Sequence, residues 1–213
     1  MARHHRWFFP GLSLHVIQRG NNRCDIFRSQ VDREAFLYAL SGACATFRLE
    51  IHAYVLMTNH VHLVATPGSQ ESLAKAMQSV GRHYVPYFNR CYRRTGGLFE
   101  ARYRADHIHS ERYWYNCVRY VELNPVRAGL AVHPEDYKWS SYRVHALGEP
   151  DVLVQPHSCY ERLADTPTER ATIWRGLCSS PLSEDELADI RAPAATLSRP
   201  VPGSDPGSDP SLG

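Results

Sequence analysis

Two histidine pairs in this 213-residue sequence have the spacing needed to share a metal ion. One residue separates His60 from His62, and one residue separates His107 from His109. Because alternate residues of a β-strand point to the same face, each pair would present two imidazoles side by side. Two neutral imidazoles at that spacing can bind one divalent cation. The first pair lies in the stronger apolar run, but spacing alone does not choose between them, and solvated strand histidines are the alternative for both.

A tyrosine and an asparagine form a second candidate. Tyr120 and Asn124 are one turn apart on a predicted helix, so a phenol and an amide oxygen project together. Tyr113 lies on the same stripe, with Asn116 nearby. On spacing alone, a tyrosine packed at the core edge with a solvated hydroxyl is the simpler interpretation. The apolar stripe of this helix, expected to pack on the core, consists of Trp114, Cys117, Val118 and Val121.

The stretch from Arg82 to Arg104 is both basic and aromatic. It contains six arginines, one acid (Glu100) and six aromatic rings. Proteins that bind single-stranded nucleic acid use arginines to track the phosphates and rings to stack on the bases. A solvated basic face whose rings belong to the core is the alternative interpretation.

The charge distribution also favours a polyanionic partner. Residues 1–130 contain 17 basic and 9 acidic side chains (+8), and residues 131–213 contain 7 and 13 (−6), which together give the net charge of +2. A basic first part of this kind favours nucleic acid as a partner.

The overall composition, 43% apolar and 22% charged, is that of an ordinary globular protein. No apolar run approaches the length of about 18 residues that a membrane span needs, and the first ten residues do not resemble a signal peptide. We therefore expect a cytoplasmic protein. The six cysteines are scattered without a C-x-x-C pair and are expected to be free thiols.

The elements that must position these residues follow from hydrophobic periodicity and turn signals. Strands are predicted at residues 12–19, 49–57, 60–66 and 98–109, and helices begin at Ser29, near Ser69–Ser72 and near Ser110. Asn124-Pro125 ends the third helix, and Pro86 predicts a kink or a break in the second. The order β-α-β-β-α-β with one extra helix is that of the split βαβ, or ferredoxin-like, arrangement. This α+β class has an antiparallel sheet with two helices packed on one face.

The chain is expected to contain one such domain at residues 1–147. Residues 148–192 are more acidic, with short helices predicted at 160–164, 168–178 and 183–190. Residues 193–213 are rich in proline and carry the near-repeat Gly-Ser-Asp-Pro, so this tail is predicted to be disordered.

Several long motifs together resemble the REP-associated tyrosine transposases, relatives of the single-tyrosine HUH transposases of bacterial insertion sequences. The motifs cover roughly residues 8–145 in the expected order: His15–Arg23, Tyr54–Val64, Tyr87–Arg90 with Gly97–Glu100, Tyr120–Gly129 and Trp139–Tyr142. The resemblance implies the HUH nuclease fold, in which the extra helix carries the tyrosine.

The resemblance also implies residue roles. The HUH motif of that family, His-hydrophobic-His, falls on His60 and His62 and not on the second pair. The family pattern Tyr-x-x-x-Asn/Gln falls on Tyr120 and Asn124. This implies Tyr120 as the nucleophile and Asn124 as a third ligand of Mg²⁺ or Mn²⁺. The neighbouring tyrosines lack an amide four residues later.

The activity implied is metal-dependent cleavage and joining of single-stranded DNA at hairpin repeats, through a 5′-phosphotyrosine on Tyr120. No side chain is an evident base for the phenol, whose ordinary pKa is about 10. The alternative is a nucleic-acid-binding protein of the same fold without covalent chemistry. A zinc hydrolase built on the histidines ranks last, because it lacks a carboxylate ligand. A monomer is favoured over a homodimer. On grounds of charge, DNA contacts are predicted at Arg19, Arg23, Arg82, Arg90, Arg93, Arg94, Arg102, Arg104 and Arg127.

Overall fold

The computed structural model describes residues 8–192, in which four antiparallel strands form one sheet. The strands are β1 (Leu14–Arg19), β2 (Leu49–Leu56), β3 (His60–Pro67) and β4 (Arg104–His107). Their order across the sheet is β2-β3-β1-β4, so β1 and β3 occupy the centre. Helices α1 (Gln30–Phe47) and α2 (Ser72–Cys91) complete the chain order β-α-β-β-α-β. The predicted α+β ferredoxin-like fold is confirmed.

Helices α1 and α2 cover one face of the sheet, as predicted. Ser29 and Asp32 form the expected capping box at the start of α1, each side chain accepting a hydrogen bond from the backbone N–H of the other. Phe36 of α1 and Phe88 of α2 are fully buried in the cluster that also contains Leu14 of β1. Apolar packing of both helices therefore holds this layer on the sheet.

Helix α2 continues through Pro86, so the break predicted there does not occur. A proline inside a helix deprives the carbonyl four residues earlier of its N–H donor. That carbonyl belongs to Arg82, and both Arg82 and Pro86 are exposed, so water can replace the missing donor. The opposite side of the helix, including Tyr84 and Phe88, remains packed in the core and offsets the cost.

The other face of the sheet is covered by α3 (Glu111–Glu122) and by the helices that follow it. Ser110 caps α3, and the helix ends before Asn124-Pro125, as predicted. The apolar stripe predicted to face the core is buried: Trp114, Cys117, Val118 and Val121. The later helices are α4 (Asn124–Arg127), α5 (Tyr142–Leu147), α6 (Ser158–Glu161), α7 (Pro167–Cys178) and α8 (Glu184–Arg191).

Residues 148–192 pack against the same layer. Trp174 of α7 and Ile190 of α8 are buried in the apolar cluster that contains Trp114 of α3. The tail predicted to be disordered, residues 193–213, lies outside the described residues. Within residues 8–192, no helix has the length and apolar character needed to cross a membrane. All six cysteines are free thiols, as expected.

Strand β4 is shorter than the strand predicted at residues 98–109. Its ladder with β1 ends at Arg104. Pairing resumes only at Glu100, whose N–H donates to the carbonyl of Arg19, and at an isolated bridge between Phe99 and Gly20, the residue after β1. The three residues 101–103 therefore lie opposite a single residue of β1, Gln18, and leave the sheet. The side-chain amide of Gln18 donates to a backbone carbonyl of this segment at 3.0 Å. The register with β1 thus limits the length of β4.

Candidate active site

The first histidine pair lies on the central strand β3, on the face that α3 covers. In the β1–β3 ladder, His62 is opposite Ile17 and His60 is opposite Arg19. Alternate residues of a strand share a face, so His15 of β1 lies on this side too. The ring centroids of His60 and His62 are 4.9 Å apart. The two imidazoles are therefore side by side, as the spacing predicts.

A chain of hydrogen bonds fixes the tautomer of His60. Nδ2 of Asn59 donates to the carbonyl of Arg23 at 3.0 Å, which identifies Oδ1 as the amide atom that faces His60. This oxygen can only accept, so Nδ1 of His60 carries the hydrogen of the 2.7 Å contact. In a neutral imidazole, Nε2 of His60 then has a free lone pair.

The loop that supplies the Arg23 carbonyl depends on a glycine. Gly20 follows β1, and a Cβ at this position would lie 2.2 Å from the carbonyl oxygen of Cys24. Asn22 and Arg23 have φ values of 50° and 57°, in the left-handed region. The turn predicted after the first strand is therefore tight, and it brings the Arg23 carbonyl to Asn59.

His62 has a partner that the sequence analysis did not identify. Nε2 of His15 lies 2.9 Å from Nδ1 of His62, and the two buried rings stack with centroids 5.1 Å apart. His15 begins the His15–Arg23 motif, which was the only signal available. Its relation to His62 depends on the pairing of β1 with β3, which joins residues 47 positions apart.

Tyr120 is the tyrosine that the fold brings to the histidines. Its ring lies edge-on to His62 and His15, with centroid separations of 5.5 and 5.9 Å. The other two tyrosines of α3 are engaged elsewhere. Tyr113 stacks on a different histidine at 4.5 Å, and the hydroxyl of Tyr115 donates to a backbone carbonyl of α6 at 2.8 Å.

A buried carboxylate anchors the end of α3. Glu122 is fully buried and accepts hydrogen bonds from Ser141 Oγ (2.6 Å), His145 Nδ1 (2.6 Å) and Trp174 Nε1 (2.8 Å). A buried carboxylate is stable when its oxygens are hydrogen-bonded in this way. Glu122 therefore fixes the helix that carries Tyr120 to α5 and α7.

Burial keeps the three clustered histidines neutral. Burial, helped by the guanidinium of Arg19, lowers the pKa of His60 to about 4. Burial, helped by Arg104, lowers the pKa of His15 to about 4. Burial, followed by the neighbouring His15, holds the pKa of His62 well below its ordinary value. At neutral pH the imidazoles therefore keep the lone pairs that a cation needs.

The donor set fits a divalent cation. In His60 and His62 the protein uses Nδ1, which leaves Nε2 for a ligand. Within residues 8–192, no group of three or more His, Cys, Asp or Glu side chains is suited to hold a metal, so further ligands would be amide, water or substrate oxygens. The Asn124 side chain is nearly buried, and its Nδ2, a donor that cannot bind a cation, has no hydrogen-bond partner in the described part of the chain; only its Oδ1 is suited to be a ligand. Imidazoles suit Mn²⁺ better than Mg²⁺, which prefers oxygen ligands.

Three of the arginines predicted to contact DNA lie on the same side of the sheet as this site. Arg19 and Arg104 are on the same face of the sheet as the histidines. Cζ of Arg127 lies 4.7 Å from the ring centroid of Tyr120. Arg104 is paired with Asp106 at 2.6 Å, so part of its charge is compensated.

The remaining arginines lie in the loop after β1, on α2 and in the segment that follows α2. Arg23 is exposed in the loop after β1. Arg82 and Arg90 are exposed on α2, which covers the opposite face of the sheet. The segment between α2 and β4 contains Arg93, Arg94 and Arg102.

The rings of the Arg82–Arg104 stretch belong mainly to the core. Three of them are buried: Tyr84, Phe88 and Tyr103. The hydroxyls of Tyr87 and Tyr92 donate to the buried carboxylate of Asp32 at 3.1 and 2.7 Å. Of the two interpretations of this stretch, the structure supports the one in which its rings belong to the core.

The second histidine pair is not arranged as a pair. His107 is the last residue of β4, and its ring centroid lies 6.1 Å from that of Phe8 and 5.7 Å from that of Phe9. His109 lies beyond the strand, where it is exposed and stacks on Tyr113 at 4.5 Å. These two imidazoles therefore do not share one face of a strand.

The chain matches a family model described as "Transposase IS200 like" over residues 9–124. It is similar in structure to a REP-associated tyrosine transposase bound to a REP hairpin, with a TM-score of 0.58 and 17% identity over 75% of this chain and 96% of that one. A putative transposase from Deinococcus radiodurans gives a TM-score of 0.40 with 17% identity, over 53% of this chain and 89% of that one. No curated protein matches the chain.

The matched span covers more than half of the chain and includes β1, β3 and α3, the elements that form the site. The class that this match defines is a transposase. More particularly, the chain belongs to the IS200-like transposase family. The similarity to the REP-associated enzyme, at 17% identity, agrees with this at the level of the fold. The resemblance predicted from the motifs is therefore confirmed for family and fold.

Proposed function

We propose that this transposase cleaves and rejoins single-stranded DNA beside a hairpin, through a covalent link to Tyr120. The observation that supports this best is the contact between the rings of Tyr120 and His62, whose centroids are 5.5 Å apart. This contact places a phenol beside neutral imidazoles on one face of the sheet. A nucleophile and the ligands of a cation are the two components that phosphodiester cleavage requires.

The proposed reaction is an in-line displacement at phosphorus. Oη of Tyr120 attacks the scissile phosphate, and the bond from phosphorus to the 3′ oxygen breaks. The phenol loses its proton, the departing oxygen gains one, and the products are a 5′-phosphotyrosine and a 3′-hydroxyl. Because the phosphotyrosine retains the bond energy of the phosphodiester, a 3′-hydroxyl can reverse the attack and join strands. No base is assigned to the phenol.

In this proposal His60, His62 and Asn124 hold a divalent cation, Mn²⁺ or Mg²⁺. The histidines bind through Nε2, and Asn124 binds through its amide oxygen. When bound, the cation polarises the scissile phosphate and offsets the charge that develops on it. Arg127, whose Cζ lies 4.7 Å from the Tyr120 ring centroid, holds the phosphate beside the phenol.

The proposed substrate is a hairpin-bearing single strand. The REP-associated tyrosine transposase of similar fold is bound to a REP hairpin, and we extend that substrate class to this chain. The exposed basic residues around the site, Arg23 and Arg127, support a polyanionic ligand there. Arg82 and Arg90 lie on the opposite face and would contact only DNA that extends around the domain.

We also propose that one copy of the chain forms a complete site. His60, His62 and Tyr120 meet within a single chain, and Glu122 anchors the tyrosine helix to later helices of that chain. A mixture of Tyr120→Phe and His62→Ala proteins should therefore remain inactive. Recovery of activity in the mixture would show that subunits exchange their tyrosine helices and would contradict the single-chain site.

The cleavage proposal is tested with single-stranded oligonucleotides that carry the palindromic repeats flanking the gene. With Mn²⁺ or Mg²⁺, a denaturing gel should show a covalent protein–DNA adduct that EDTA prevents. Tyr120→Phe should abolish the adduct. Tyr113→Phe, which removes a phenol from the same helix, should form it at the wild-type level. Hairpin binding without an adduct in either metal would contradict cleavage and favour the DNA-binding alternative.

A further inference from the structure

His15 is an almost fully buried histidine that contacts both His62 and Tyr120. His15 is only 1% exposed, and its ring stacks on that of His62 with an interplanar angle of 15°. Its Nε2 lies 2.9 Å from Nδ1 of His62. Its Nδ1 is buried and has no hydrogen-bond partner among residues 8–192.

It is unfavourable to bury a histidine that forms a hydrogen bond at only one of its two ring nitrogens. A buried polar atom without a partner costs about 1–3 kcal/mol. An apolar ring would fill the same space without that cost. Packing alone therefore does not account for an imidazole at position 15.

The requirements of a metal ligand do account for it. A histidine that binds a cation through Nε2 carries its hydrogen on Nδ1, and this N–H needs an acceptor that fixes the ring. For His60 the acceptor is Oδ1 of Asn59, at 2.7 Å. For His62 the group in the equivalent position is Nε2 of His15, at 2.9 Å. Each of the two candidate histidine ligands thus has its own supporting side chain.

We propose that His15 is a positioning residue, whose Nε2 accepts the hydrogen bond of His62 Nδ1–H and so holds His62 with Nε2 free for the cation. The hydrogen of His15 itself then lies on its Nδ1. This inference rests on the proposed metal-dependent function and adds to it a residue that acts only through His62. His15 is expected to touch neither the cation nor the DNA.

Two substitutions separate the hydrogen bond from the packing of the ring. His15→Phe keeps an aromatic ring and removes the acceptor, whereas His15→Gln removes the ring and can place an amide oxygen near the position of Nε2. Mn²⁺ binding to the full chain is measured by titration with electron paramagnetic resonance. We expect His15→Phe to weaken binding by about 10–100-fold and His15→Gln to recover most of it. The thermal stability of His15→Phe should equal or exceed that of the wild type.

A spectroscopic measurement reads the same hydrogen bond without any reaction. With Zn²⁺ as a diamagnetic probe, ¹⁵N-detected spectra of the imidazoles should show a hydrogen on Nδ1 of His62 that exchanges slowly with water. This signal should persist in His15→Gln and be lost to exchange in His15→Phe.

Equal Mn²⁺ affinity in the wild type and His15→Phe would overturn the proposed role of His15. An equal loss of affinity and of thermal stability in both variants would overturn it too, because His15 would then act only by packing. If the wild type binds neither Mn²⁺ nor Zn²⁺, the metal site of the proposed function is wrong, and the role of His15 falls with it. This failure is distinguishable because it appears in the unmodified chain.

Discussion

The chain contains the pattern His-x-His twice, and the two copies have different environments. His60 and His62 lie on β3, in the centre of the sheet, so both side chains remain on one face. His107 ends the edge strand β4, and His109 lies beyond it. Alternation places two residues on the same face only while the strand continues through both of them.

The neighbours of the two pairs differ as much as their backbones. Asn59 and His15 hydrogen-bond to the two imidazoles of the first pair, and Tyr120 contacts one of them. In the second pair, one ring contacts phenylalanines and the other stacks on Tyr113. A candidate pair of metal ligands is therefore distinguished by the groups that hold its rings and not by its spacing.

The largest expected effect separates the two pairs directly. His62→Ala removes a candidate ligand, and we expect the rate of adduct formation in Mn²⁺ to fall by more than about 100-fold, because the loss of a supporting partner alone costs 10–100-fold. His109→Ala removes an exposed histidine and should leave the rate unchanged. Similar losses in the two variants would show that the structural difference between the pairs has no functional meaning.

The next effect concerns the anchor that holds a tyrosine beside the first pair. Glu122→Ala leaves three buried donors without their acceptor, and we expect the free energy of unfolding to fall by about 3–5 kcal/mol. Glu111→Ala, on the exposed start of the same helix, should cost about 0–1 kcal/mol. Denaturant unfolding measures both. A loss below about 1 kcal/mol for Glu122→Ala would mean that the carboxylate does not anchor the helix.

Two further histidines, His52 and His157, belong to a hydrogen-bond network that contains no candidate metal ligand of the proposed site. His52 Nδ1 donates to the carbonyl of Gln155 (2.9 Å), so its Nε2 accepts from Thr66 Oγ1 (2.8 Å). Thr66 in turn accepts from Ser13 (2.8 Å), which accepts from Nε2 of His157 (3.1 Å). In this series of hydrogen bonds, each hydrogen lies between a donor and an acceptor only while His52 and His157 are both neutral.

This network predicts a loss of stability in acid. Burial, reinforced by His52, lowers the pKa of His157 to about 4. The unfolded chain takes up this proton below about pH 6.5, whereas the folded chain does so only near pH 4. The contribution of neutral His157 to the free energy of unfolding is therefore complete above pH 6.5 and is lost as the pH falls towards 4. We expect His157→Gln to reduce the acid-dependent loss of unfolding free energy by about 2 kcal/mol, measured by denaturant unfolding at pH 7 and pH 4. An identical pH dependence in the variant would be inconsistent with this network.

The smallest expected effect compares arginines on the two faces of the sheet. Arg127→Gln removes a charge beside Tyr120, and we expect adduct formation to slow by about tenfold, the effect of one charge-assisted hydrogen bond to phosphate. Arg82→Gln removes an exposed charge from α2, on the opposite face, and should change the rate of adduct formation by less than about twofold. A larger effect for Arg82→Gln would indicate that DNA extends around the domain during cleavage.

Local patterns were sufficient for the order of the four strands and the first three helices, and for most of the candidate site. The cap of α1 at Ser29, the buried stripe of α3 and the alternation of β3 each depend on residues a few positions apart. Their interactions form within one element, so they can be predicted from a short window of sequence. The motifs then predicted His60, His62 and Tyr120 as site residues, and the fold brings their rings together.

Only the tertiary structure decided the features that depend on distant elements. The register with β1 shortens β4, and packing on the sheet keeps α2 continuous through Pro86. His15 meets His62 across 47 positions, and Glu122 meets Trp174 across 52. The sequence by itself therefore determined which side chains are the candidates for the proposed chemistry. The partners that orient them were decided by strand register and helix packing, because those depend on the whole core and not on local periodicity.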